Sequence, residues 1–552
     1  MTFVRAIGLA LAAVVAAEIV SASPSAHPQS GDTARATGRV VTTDTADPVR
    51  GAVVTLRPVS GTASSSATTD QNGRFDMRDV PSGTFQFSVR KSGFIMWPPL
   101  MAEFRVQVKP GETRNLGEIR LMRAGVIAGV VYDRFGEPVG EAALMVDRVT
   151  YATPGSPTTG MQRFTTADDL GRFRLYGLAP GTYVLKAGLA NPTGRLESPD
   201  LTAQSLRVSE GRAIAMVARQ TVVLGEGEQV SSLNLRLEPV NLTSLSGRAV
   251  NSRGEPAASV SVWLNSVPTA LPDIPSGQSA RTSADGTFVL PFVKPGDYWI
   301  DVTTPRPPAD RPEAAAQRVE DRPEVARQAV TVPPGIERIG GLVIQTALRV
   351  TSGRVYVDGG IAPSGQIMNL DVRALWPTGG GVSSTTSTVE AGGAFRLFGL
   401  IGRCLIRTSS LPDDLSLARV VAHGLDVTDD GIDFDRGNVG SIEVHLTTRP
   451  SVVSGRVTDA AGNAVSAHVI VYAADGALWL KPYSRSVARA ASSRDGGFAI
   501  RGLPAGRYLA VALSELDLQD WANPNLLERL RPFATPFTLS EGETRTLDLR
   551  RR

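Results

Sequence analysis

The 552-residue sequence predicts an all-β protein built from five tandem antiparallel β-sandwich domains. Three observations predict it. A turn motif recurs five times in nearly constant register. Each copy is flanked by segments in which apolar and polar residues alternate, the period of a half-buried strand. The copies recur at about 100 residues, too long for a solenoid repeat and the size of one small β domain. Composition agrees with this. Gly (55) and Pro (37) make up about a sixth of the chain, against roughly an eighth in ordinary globular proteins. Gly does not fall at every third position, so the excess belongs to many short strands joined by tight turns rather than to collagen.

The motif reads Asp, turn, Gly, any residue, Phe, and then Pro, Gly, any residue, aromatic. The first copy is Asp70-Gln71-Asn72-Gly73-Arg74-Phe75 followed by Pro81-Ser82-Gly83-Thr84-Phe85. The second is Asp169-Leu170-Gly171-Arg172-Phe173 with Pro180-Gly181-Thr182-Tyr183. The third is Asp285-Gly286-Thr287-Phe288 with Pro295-Gly296-Asp297-Tyr298. The fifth is Asp495-Gly496-Gly497-Phe498 with Pro504-Ala505-Gly506-Arg507-Tyr508. The fourth is degenerate: Gly393-Ala394-Phe395 leads to Gly402-Arg403-Cys404, with Cys404 in the aromatic slot. Phe and the second aromatic are 10 residues apart in four copies, and Phe395 and Cys404 are 9 apart.

Each copy follows an opening strand that begins Gly38-Arg39-Val40, Gly129-Val130-Val131, Gly247-Arg248-Ala249, Gly353-Arg354-Val355 or Gly455-Arg456-Val457. After the Pro-Gly pair the alternation is explicit. Phe85, Phe87 and Val89 share one face, as do Tyr183, Leu185 and Ala187, and Tyr298, Ile300 and Val302. Pro presets φ and Gly accepts positive φ, so the pair marks a turn. The stretch from Phe75 to Phe85 therefore reads as a hairpin with one buried aromatic on each arm. Each unit closes with a further alternating strand, as at Leu233, Leu235 and Leu237, or Ile442, Val444 and Leu446.

The expected organisation is a signal peptide over 1–22, a flexible leader over 23–36, and sandwiches over 37–122, 123–240, 241–348, 349–449 and 450–552. A Pro- and charge-rich insertion is expected at 304–330. Helix is expected only over Asn523 to Leu530. The signal rests on Arg5, the apolar run Ala6 to Ala17, and Val20-Ser21-Ala22 at the cleavage position. Twelve helical residues rise about 18 Å, short of a hydrocarbon core of ~30 Å. No transmembrane span is expected after cleavage, and the address is exported: periplasm, cell surface or extracellular space.

The motif series resembles the carboxypeptidase regulatory-like domain family, over nearly all of residues 34–552. It is clearest in units one, two, three and five. The last two units, with Gly424-Leu425-Asp426-Val427-Thr428-Asp429 and Trp521-Ala522-Asn523-Pro524, resemble exported multi-domain proteins of soil bacteria. The resemblance implies a transthyretin-like sandwich of Greek-key type, near the carbohydrate-binding-like folds, and an extracellular setting. It does not imply peptidase activity, since none of His27, His423, His445 and His468 is followed three residues later by Glu.

Chemistry is sparse. A net charge of +3 offers no case for nucleic acid. The single cysteine, Cys404, excludes an internal disulfide. No Gly-x-Ser-x-Gly elbow or phosphate-binding Gly-rich loop is present. Cys404 sits in a core strand slot, and His445 and His468 lie in alternating strands as ordinary face or core residues. The acidic run Asp426, Asp429, Asp430, Asp433 and Asp435 departs from a calcium loop, with Thr428 at position 3 and Gly437 at position 12. It reads as a solvated loop, with an irregular calcium site between units as the alternative. Aromatics outside the core slots, Trp97, Trp479, Tyr483 and Trp521, are the ligand-binding candidates. Packing between loops and strands is the competing reading for each. The expected function is thus a non-catalytic binding protein, with no catalytic residue, metal or cofactor, and with carbohydrate suggested by fold analogy alone. A structural or adhesion stalk contacting cell-surface proteins is the alternative.

Overall fold

The computed structural model describes residues 33–60, 64–98, 105–189, 206–209, 212–267, 277–304, 322–361, 369–374, 384–409, 411–412, 414–436 and 439–552. The expected signal peptide lies outside them. The chain divides into two compact bodies, residues 1–91 with 101–121, and residues 92–100 with 122–552. The first holds one β-sandwich and the second holds four.

Every sandwich repeats one plan. A sheet of three principal strands has the opening strand at its centre, and a second sheet of four strands faces it. In the second sandwich the first sheet orders Arg172–Leu178, Gly125–Tyr132 and Gln229–Arg236. The facing sheet runs Ser156–Thr166, Ala142–Thr153, Gly181–Leu189 and Arg212–Leu224, with further short strands at its edge. Ile127, Leu144, Phe173, Tyr183, Leu185 and Leu235 fill the space between. The inward sets expected in the second and third units pack in their cores, while in the first Phe85 and Val89 are buried and Phe87 is half-buried; a fully buried side chain of this size stabilises by about 1.5–3 kcal/mol.

Two expectations are corrected. The sheets are not wholly antiparallel. The opening strand pairs in parallel with the closing strand in every unit, as Thr33–Thr42 with Thr113–Arg123 and Val350–Val357 with Ile442–Thr447. With the motif strand antiparallel on one flank, the closing strand reaches the other flank running the same way as the opening strand. The stretch from Phe75 to Phe85 is also not a hairpin. Arg74–Pro81 pairs with Thr33–Thr42, whereas Gly83–Arg90 pairs with Val53–Pro58 in the other sheet. The Pro-Gly turn carries the chain between sheets, so its two aromatics enter one core from opposite sides.

This plan explains the motif residue by residue. The first Gly of the opening strand is the register partner of the motif Phe in all five copies: Gly38 with Phe75, Gly129 with Phe173, Gly247 with Phe288, Gly353 with Phe395 and Gly455 with Phe498. A Cβ at Gly38 or Gly353 would lie 2.7 or 2.2 Å from that ring, so the ring lies across the glycine. The tyrosines of three copies return a hydroxyl to the carbonyl four residues back: Tyr183 to Ala179 at 2.6 Å, Tyr298 to Lys294 at 2.9 Å and Tyr508 to Pro504 at 2.8 Å. That bond satisfies a buried phenol and fixes the turn. In copy two the turn is held by Asp168 rather than Asp169. Its carboxylate accepts from the Leu170 and Arg172 backbone N–H groups at 3.0 and 2.7 Å.

Smaller departures lie at the edges. The first strand starts at Thr33, inside the stretch expected as leader, because Ala34 and Ala36 are already buried. Val325–Val332 is a strand of the third sandwich, not part of an insertion. Residues 305–321 lie outside the described residues. The expected helix is present as Pro524–Leu530, with the Asn523 side chain capping it.

Candidate functional site

The four candidate aromatics do not form one platform. Trp97 is half-buried beside a cis peptide to Pro98. Trp479 is 3% exposed within the fifth core, and its indole N–H donates to the Ala473 carbonyl at 2.8 Å. Tyr472 meets it edge-on at 5.5 Å, and the Arg531 guanidinium lies 5.1 Å from its ring. Trp521 is 7% exposed, and its N–H donates to the carbonyl of Ala152 in the second sandwich at 2.7 Å. Tyr483 is half-buried, and its backbone N–H donates to the Pro154 carbonyl at 2.9 Å. Trp521 and Tyr483 therefore meet at one place: the contact between the second and fifth sandwiches.

That contact grows from strand length. The Ala142–Thr153 and Ser156–Thr166 strands have 12 and 11 residues, while the matching Ser261–Ser266 and Gly277–Arg281 have 6 and 5. The tip, Tyr151 to Gly155, docks against two loops of the fifth sandwich. Ala142, Leu144 and Val146 face the core, and Arg148 continues their face as a charge at an inward position. Its guanidinium donates to Asp517 Oδ2 at 2.8 Å, to Asp520 Oδ2 at 3.4 Å and to the Pro180 carbonyl at 3.0 Å. Side chains of Arg148 and Asp517 are 6% and 5% exposed. Burial works against the Arg148 cation, but the Asp517 and Asp520 charges outweigh it, and its pKa is raised further. Burial pushes the Asp520 carboxyl above the ordinary aspartate value, against the pull of Arg148. Backbone groups complete the contact: Tyr151 N–H to Asp520 Oδ1 at 3.1 Å, and Ala522 N–H to the Tyr151 carbonyl at 3.1 Å. Gly155, at φ 62°, lies so close that a Cβ would be 2.0 Å from the Lys481 carbonyl oxygen.

The acidic run is also a contact rather than a solvated loop. Asp429 takes a bidentate pair from Arg485 at 3.0 Å for each bond, and Arg407 at 3.3 Å. Asp430 meets Lys481 at 3.1 Å, so the fourth sandwich is tied to the fifth. Burial favours a neutral Asp429, but the Arg485 hydrogen bond and the nearby cations hold its carboxyl below the usual range. Burial lowers Arg407 to about 10. Asp435 lies 3.7 Å from Arg327 of the third sandwich, whose guanidinium is otherwise clamped on the fully buried Asp301 at 2.7 and 2.9 Å.

Nothing catalytic converges elsewhere among the described residues. Cys404 is buried with its thiol pushed up to about 12 by burial. His445 contacts Glu443 at 3.0 Å and stacks on Tyr356, while His468 lies in a strand of a different sandwich. No group of three or more His, Cys, Asp or Glu among these residues is placed to hold a metal ion, and no helix is long and apolar enough to cross a membrane. A cleft of about 380 Å³ between the fourth and fifth sandwiches is lined by Arg419, Arg449 and Arg485 together with Asp426 and Glu541, so it has no single charge character.

The sequence reading missed Arg148, Asp517 and Asp520. The available signal was a charge in the inward register of a strand, joined to a hairpin twice the length of its counterparts.

Comparison with solved structures finds pilins and a Bacillus protein among the matches. A streptococcal ancillary pilin is 11% identical, covering 57% of this chain and 98% of its own, with a TM-score of 0.18. The Bacillus anthracis TIE protein is 12% identical, covering 75% and 69%, with a TM-score of 0.15. GBS52, a minor pilin of Streptococcus agalactiae, is 14% identical, covering 38% and 97%, with a TM-score of 0.19. Scores this low carry no inference about role. No curated protein matches the chain. Residues 35–122, the first of the five copies, match the carboxypeptidase regulatory-like domain family.

Proposed function

We propose that the protein is an exported, non-catalytic scaffold that works through protein–protein contact. One observation carries this reading. The charge clusters of the second body, Arg148 with Asp517 and Asp520, Asp429 with Arg407 and Arg485, and Arg327 with Asp301 and Asp435, join sandwich to sandwich or reach toward the next. In an enzyme such groups converge on a cleft open to substrate. Here they are spent on holding modules together. Carbohydrate binding is the competing reading. Two of its four candidates, Trp479 and Trp521, have their indole N–H groups committed to backbone carbonyls and their rings buried. Trp97 and Tyr483 keep partial exposure and are the residues on which that reading rests.

The test is a polysaccharide and glycan panel on purified residues 23–552, with calcium and with chelator. The scaffold reading expects no retention in either condition. Retention that is lost on Trp97→Ala or Tyr483→Ala would overturn it and install a lectin-like role.

A further inference from the structure

The contact between the second and fifth sandwiches joins residues 369 positions apart in sequence, as in Trp521 to Ala152 and Arg148 to Asp517 within the same body. One side is a projecting hairpin tip that offers carbonyls at Tyr151, Ala152 and Pro154 and a cation at Arg148. The other is a receptor that offers N–H groups at Tyr483, Trp521 and Ala522 and carboxylates at Asp517 and Asp520. Donors face acceptors and charges are opposite, and the two halves share no residue. Every copy of the chain carries both halves, and no contact in the set uses the third or fourth sandwich. The strand ending at Asn241 and the next starting at Thr243 leave Leu242 alone between the second and third sandwiches. Short joints of this kind favour exchange of identical elements between copies.

We propose that the hairpin Ala142–Thr166 also seats in the fifth sandwich of a second copy, so that the chain self-associates through the same contact it closes on itself. This deepens the scaffold reading and rests on it, naming a second copy as the partner. The surface is heterologous, so exchange gives either a reciprocal dimer that recovers every contact or a head-to-tail chain. In one molecule the receptor faces its own hairpin, so the internal contact competes with association between copies. Association between copies therefore appears when exchange is allowed at high concentration, or when each copy's hairpin can match only the other copy's loop.

Paired charge reversal tests this on the full chain. Arg148→Asp places a third carboxylate against Asp517 and Asp520, and Asp517→Arg opposes the native Arg148, so each variant alone opens its own contact. In a 1:1 mixture the reversed hairpin of one variant meets the reversed loop of the other, and the two native halves also match. The expected result, by light scattering after size exclusion, is a monomer for each variant and a doubled mass for the mixture. Adding Gly155→Val to both variants should return the mixture to monomer. A second measurement avoids the buried reversals. Native-sequence protein refolded at roughly 200 µM should give a dimer fraction several-fold above that at about 1 µM, and Gly155→Val should abolish it. A mixture that stays monomeric, with no concentration-dependent dimer in the native sequence, overturns the proposal. That outcome leaves the scaffold reading untouched, since that reading stands or falls on the glycan panel.

Discussion

The second and third sandwiches share the same motif and nearly the same core, yet their hairpins differ. In the third, Ser261–Ser266 and Gly277–Arg281 are short, and the buried charge at the sheet end, Asp301, is met locally by Asn265 and Arg327. In the second, the corresponding strands are about twice as long and their inward charge, Arg148, finds its counter-ions on another sandwich. The difference separates two kinds of information. The turn motif decides that a sandwich forms. Strand length, together with one charge at an inward position, decides which sandwich it touches.

Several substitutions break or sharpen that comparison. The largest effect is expected at Arg148→Ala, which strands Asp517 and Asp520 without their cation. Removing one partner of a buried pair costs about 3–5 kcal/mol, and denaturant unfolding should show the loss in a transition that includes the fifth sandwich. An Arg327→Ala comparison in the third sandwich should place its loss in that sandwich instead. Trp479→Ala should cost a similar amount, about 3–5 kcal/mol for an aromatic removed from a core, read by the same unfolding curve. A residue serving only as a sugar platform would leave stability unchanged.

Next in size is Gly129→Ala, within the shared motif. Its Cβ would lie 2.0 Å from the Leu233 carbonyl oxygen, and the forced backbone shift should cost about 1–3 kcal/mol in the second sandwich. Tyr508→Phe removes one hydroxyl bond and should cost about 1 kcal/mol. The first copy already carries Phe85 in that slot, so Phe85→Tyr offers the reverse test, with a gain wherever the hydroxyl reaches the Val80 or Pro81 region.

Acid distinguishes the two largest contacts. Asp429 has its carboxyl held below the ordinary value by Arg485 and its neighbours. Its contribution is complete above the unfolded aspartate value of about 4 and is lost as pH falls through the lower folded value. Asp520 is displaced upward by burial, so its contribution runs the other way, present at low pH and lost as pH rises through the folded value. Below about pH 4, exchange protection at Thr428 and Arg485 should fall before protection across Asp517 to Asn523.

Much of the fold was legible because its rules are local. Gly opposite Phe, Pro-Gly before an aromatic and an Asp-led turn are each satisfied within a few residues or across one strand pair. The parallel pairing and the sheet-crossing turn were not legible, since alternation shows which face a residue takes and not which sheet its strand joins. The acidic run at Asp426 to Asp435 misled for a related reason. Carboxylates in a loop look solvated until Arg407 and Arg485 arrive from elsewhere in the sequence. Trp521 and Tyr483 lie outside the motif's aromatic slots, but sequence cannot show that they meet the Ala152 and Pro154 carbonyls.

The most direct test of the contact is hydrogen exchange by mass spectrometry on the Gly155→Val variant. The substitution lies at the hairpin tip of the second sandwich, and the readout is taken in the fifth, across a contact that the Trp521 to Ala152 bond spans over 369 positions. The account predicts faster exchange across Asp517 to Asn523 and across Lys481 to Arg485, with no change in the Tyr508 and Phe537 strands of the same sandwich. Acceleration confined to the hairpin itself, with the fifth sandwich unchanged, would contradict it.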